Sequence, residues 1–139
     1  MPKEIRLPAF NFLGYNIQQI NLKRIGNENI EELKINITSA KYDEDKNIYS
    51  LVLTLSIEFN NSKGSFIEML GGFKVNDKNI LKNRDSINSI FSASIYPYLR
   101  TVFHNITSDE RPSLTLPTLD LRNVDLQKGI SLKPNFQSE

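Results

Sequence analysis

Cysteine is absent from the 139 residues, and histidine occurs once. The first absence excludes disulfides, thiol nucleophiles and thiolate zinc sites, and it fits a reducing compartment. The second leaves His104 without partners for a triad, a histidine metal cluster or an imidazole acid–base pair. An excess of one charge is also missing. Seventeen basic residues stand against sixteen acidic ones, a net charge of +1, so no field of one sign draws in nucleic acid or an acidic membrane. No apolar run approaches a membrane span, and the opening MPKEIRLPAF has no apolar core of signal-peptide length. The expectation is a cytoplasmic protein.

Catalytic constellations are missing as well. Asp43-Glu44-Asp45 is too short for a calcium loop and lacks its glycine and terminal glutamate. Gly71-Gly72 is followed by neither a P-loop lysine nor dinucleotide spacing. Basic residues do not interleave with aromatics as they would on a single-strand platform. Neither enzyme activity nor a metal or cofactor is expected, so shape and apolar surface must carry the function.

What is present is alternation. Leu13, Tyr15 and Ile17 fall on odd positions and Ile20 and Leu22 on even ones, which predicts a long first strand with a bulge or bend near Gln18-Gln19. Leu33, Ile35 and Ile37 alternate in a second strand. Tyr49, Leu51, Leu53, Leu55, Ile57 and Phe59 define a third with one wet face, as an antiparallel sheet requires. The fourth, Phe66 to Val75, is apolar on both parities, and Gly71-Gly72 marks a bulge or a close approach. A helix capped by Asp85 or Ser86 is predicted to run to about Ile106. Its apolar residues span a sector of about 220°, wider than one sheet contact needs. Either a second chain or the C-terminal segment must meet the other flank. Pro97 falls on the polar face, where a kink would spare the core. After the helix, Pro112 and Pro117 bracket Leu114 and Leu116, and Leu119 and Leu121 continue the period. The reading is an α+β fold, a four-stranded antiparallel sheet with a long helix packed on one face. One domain spans 1–126, and a tail from 127 to 139 is expected to be flexible.

In this order the motifs resemble the SecB family of bacterial export chaperones. The resemblance covers about residues 10–124 and rests on Tyr96-Pro97-Tyr98-Leu99-Arg100 in the helix, Pro112-Ser113-Leu114-Thr115-Leu116-Pro117 after it, and the second and third strands. It implies a homotetramer built as a dimer of dimers, with first strands joining two sheets and long helices sandwiched between them. It further implies unfolded polypeptides as clients and hand-off to the motor SecA in protein transport. Carried over, Leu33, Ile35, Ile37, Leu114 and Leu116 would line a client groove. Ile67 and Met69 would be buried between dimers, with Tyr98, Leu99 and Val102 on the helix at the oligomer interface. Gln19 and Lys23 stand where the family presents carboxylates to its motor, and the loop from Ile25 to Glu31 is short and lacks the family's groove aromatics. Three functions are therefore weighed: a nucleotide-independent holdase, a module dedicated to one partner such as an antitoxin, and a carrier of a small molecule between sheet and helix.

Overall fold

The computed structural model describes residues 8–23, 29–107, 116–122, 124–126 and 128–132. Strands β1 (Phe10–Asn21), β2 (Ile30–Asp43), β3 (Ile48–Phe59) and β4 (Ser65–Val75) come first. A short 3₁₀ helix (Lys78–Lys82), the long helix α1 (Arg84–Ile106) and strand β5 (Ile130–Leu132) follow. The sheet is antiparallel, in the order β1-β4-β3-β2-β5. It therefore has five strands where alternation predicts four. Three residues are too few to show a period, and β5 forms by pairing with the outer edge of β2, Leu132 opposite Leu33 and Ile130 opposite Ile35. It lies inside the stretch expected to be a flexible tail; residues 133–139 lie outside the described residues.

The hairpin between β2 and β3 turns where the Asp43 carboxylate accepts from the amides of Asp45 and Lys46. Asn47 there adopts φ 54°, a left-handed conformation that asparagine tolerates. In β3, Tyr49, Leu51, Leu53, Leu55, Ile57 and Phe59 are all buried, as their alternation predicts. The doubly apolar β4 divides by parity. Ile67, Met69 and Phe73 are buried on the face toward α1, while Phe66 and Leu70 are half-buried on the other.

Strand β1 carries two register shifts against β4, one between Phe12 and Gly14 and one between Ile17 and Gln19. The second is the bend read from the sequence. The first coincides with Gly14 at φ 124°, a conformation favouring glycine. Each extra residue turns the following apolar side chain back to the helix side. Phe12, Tyr15, Ile17 and Ile20 consequently stand opposite Phe73, Gly71, Met69 and Ile67, all on one face.

Helix α1 is capped by Asn83, whose side chain accepts from the Ser86 amide, a few residues before the expected Asp85 or Ser86. Thr107 closes it, donating its N–H and its hydroxyl to the Phe103 carbonyl. Pro97 lies on the exposed face. The helix rests directly on the sheet at Gly71, where a Cβ would stand 2.5 Å from Ile95 Cδ1. This is the close approach that the glycine pair suggests. Next to it Phe73 and Phe91 stack at 3.9 Å and 6°, with Phe10 and Tyr49 edge-on to Phe91. The space between sheet and helix is thus filled by side chains along this line, the place where a carried small molecule would have to lie.

Candidate polypeptide-binding surfaces

The wide apolar sector of α1 meets three neighbours. Its centre faces β3 and β4, and one flank is covered by residues 116–122 and 124–126. Leucines 116, 121 and 126 of that segment, five residues apart, are each 1% exposed. Tyr96 Oη–H donates to the Pro117 carbonyl at 2.6 Å, and Arg100 Nε–H donates to the Leu116 carbonyl at 2.8 Å. Ser89 Oγ–H donates to the Val124 carbonyl at 2.7 Å. The Ile37 amide reaches the Leu126 carbonyl at 3.0 Å, just ahead of the β5 ladder. Between these anchors Asp120 takes a two-pronged bond from Arg122. That bond holds its carboxyl down to about 2 and keeps both charges outward, on either side of buried Leu121.

Burial pushes the Tyr96 hydroxyl up to about 12, against the pull of the nearby Arg100 charge. A phenol with a folded pKa raised above its ordinary value of about 10 stabilises the fold fully below that value and loses this contribution as pH rises through the folded one. Tyr96→Phe is therefore expected to cost about 1 kcal/mol at neutral pH, the net worth of one hydrogen bond. Between about pH 10 and about pH 12 its stability should then fall less steeply than that of the parent. Urea unfolding at stepped pH checks this, and parallel slopes would contradict it.

Among the described residues none covers the other flank fully. Tyr98 is 40% exposed and lies on Tyr15 at 4.7 Å and Phe12 at 5.5 Å. Beside it Tyr15 (41%), Ile17 (44%) and Ile20 (39%) project from β1 on the helix side, where the helix covers them only in part, while Leu13 (56%) is exposed at the first register shift, next to Gly72 on the other face. Large apolar side chains so gathered are the mark of an interaction surface.

Two cavities flank the covering segment. One, about 420 Å³, lies between the start of α1, Ile37, Arg122 and residues 124–126; the other, about 410 Å³, is bordered by Pro97, Arg100, Thr101, His104 and Leu116. Of the residues expected in a client groove, Leu33 and Ile35 are buried, Ile37 is half-buried at the rim of the first cavity, and Leu116 is buried beside the second. Leu114 lies outside the described residues. Of those expected between subunits, Ile67, Met69, Leu99 and Val102 are already enclosed in the core of the single chain, and Tyr98 alone is exposed. Sequence reasoning did not single out Tyr15, Ile17 and Ile20 for a surface, nor Ser89, Tyr96 and Arg100 as anchors of the segment. Among the described residues no cluster of acidic or histidine side chains is arranged to hold a metal ion, and no helix is long and apolar enough to cross a membrane.

No family model and no curated protein sequence matches this chain. Among solved structures it is similar to the Mycobacterium tuberculosis Rv1957 SecB-like chaperone, determined in complex with a ChAD peptide from the Rv1956 HigA1 antitoxin. The TM-score is 0.57 at 14% sequence identity, over 80% of this chain and 90% of that one. The fold, a long helix on an antiparallel sheet of five strands, is SecB-like.

Proposed function

We propose that this chain is a nucleotide-independent chaperone of the SecB type, a holdase that binds unfolded polypeptides and catalyses nothing. The observation that carries this reading is the likeness of the fold to a chaperone solved with a peptide bound. The apolar patch on β1 and α1 supports it. Scattered aliphatic and aromatic contacts suit clients that share no sequence. Self-association would follow through the patch, as a dimer and then a dimer of dimers, and several weak sites around one assembly would add avidity. Export and hand-off to SecA belong to the same proposal.

A reading as a module dedicated to one partner is favoured by one particular finding, the antitoxin peptide held by the similar structure. Gln19 and Lys23, standing where the resemblance would place motor-docking carboxylates, point the same way.

The two readings separate in a titration against a refolding, aggregation-prone protein without nucleotide, followed by light scattering. A general holdase is expected to suppress scattering near one assembly per client. Scattering unchanged at large excess would remove that reading and leave the dedicated partner.

A further inference from the structure

The described residues between Leu116 and Leu132 are bound as a peptide would be. Tyr96, Arg100, Ser89 and the Ile37 amide all donate to its backbone carbonyls, groups that every polypeptide supplies. Selectivity is left to Leu116, Leu121 and Leu126, whose side chains are enclosed. The stretch then joins the edge of β2 as β5. Backbone bonds for affinity and spaced pockets for side chains are the two ingredients of recognition by strand addition. The seat is also incompletely filled, with a cavity at the Leu126 end and another at the Leu116 end.

We propose that this track is a peptide-binding site whose resident occupant is the chain's own C-terminal segment. A client enters by displacing β5 and the leucines ahead of it. The ligand is an extended polypeptide with large aliphatic side chains about five residues apart, matching the pockets that the resident leucines fill. The proposal rests on the polypeptide-binding reading above and names its site.

Exchange starts at β5, the weakest part of the track. It is three residues long and partly exposed, and it is entered through Gly129 at φ 79°, where a Cβ would stand 3.1 Å from Lys34 Cε. Short, exposed elements open at little cost. Departure of β5 frees the edge of β2 and uncovers the sides of Leu33 and Ile35 that now adjoin Leu132 and Ile130. Buried residues of the expected groove thus become reachable. Client affinity is then scaled by the fraction of molecules whose track is empty.

The absence of native cysteine makes the test clean. Lys34 and Ser131 stand directly opposite one another, both exposed, so Lys34→Cys with Ser131→Cys in the full chain ties β5 to β2 when oxidised and frees it when reduced. The probe is a fluorescent, permanently unfolded protein, itself reduced and alkylated, followed by anisotropy. The reduced variant is expected to bind it as the parent does, and the oxidised variant at least about tenfold more weakly. Equal binding by both forms overturns displacement and leaves the chaperone reading standing; a parent chain that does not bind the probe overturns both. Should the cysteine pair not fold, a synthetic peptide of residues 116–132 added to the parent decides. Release of the probe by this peptide supports a shared track, and retention of the probe overturns it.

Discussion

Replacing Phe91 by alanine is expected to remove about 3–5 kcal/mol of stability, the usual cost of deleting a buried aromatic ring. This is a large share of the roughly 5–15 kcal/mol that holds a domain folded. The ring is fully buried and stacked on Phe73, with Phe10 and Tyr49 meeting it edge-on. It therefore ties β1, β3 and β4 to the helix at one point. The cost belongs at the upper end because the cavity has little means of closing. Ile95, one turn further along the helix, already sits against Gly71, so α1 cannot settle closer to the sheet. Urea unfolding followed by circular dichroism measures the loss. A value under about 1.5 kcal/mol, the cost of a tolerated apolar swap, would show that the core repacks around the gap.

Aspartates at Ile17 and Tyr98 together are expected to weaken self-association by at least about a hundredfold while leaving the fold intact. Both side chains are roughly two-fifths exposed in the single chain, so folding depends on them less than a contact with a second copy would. Fully burying one such side chain is worth about 1.5–3 kcal/mol, and each aspartate replaces that gain with an unpaired charge at the contact. Sedimentation velocity over a concentration series checks the prediction, with Asn16→Asp, on the opposite face of β1, as the control. A parent that sediments as a monomer, or a double variant that assembles like the parent, would assign the patch to a different partner.

How much of this was legible beforehand differs from element to element. The alternation from Tyr49 to Phe59 identifies the central strand and its buried face because a half-buried strand has only one period available to it. The change of parity between Ile17 and Ile20 locates one bulge. The other, at Leu13-Gly14, escapes because the residues following it resume an ordinary alternation. The site was less legible, for a physical reason. Periodicity tells which side chains share a face but not what covers that face. Leu33 and Ile35 are apolar because they belong to the core. Tyr15 and Ile17 show the same pattern, yet they stand where the helix covers them only in part. The anchors of the C-terminal segment are harder still, since Ser89, Tyr96 and Arg100 act on main-chain carbonyls, which leave no trace in residue types.

The two ends of the sheet bear on how a holdase of the proposed kind would survive among sticky clients. A flat, regular strand edge is a template, and a molecule that gathers unfolded chains would risk being copied into a growing ladder. Among the described residues one end is β1, whose two irregularities break the spacing of its outward N–H and C=O groups. The other is capped over part of β2 by three residues too short to pass a register on. Both devices shorten the regular row on which a further strand could be added. If two β1 edges do meet face to face, the contact is isologous and closes after two copies.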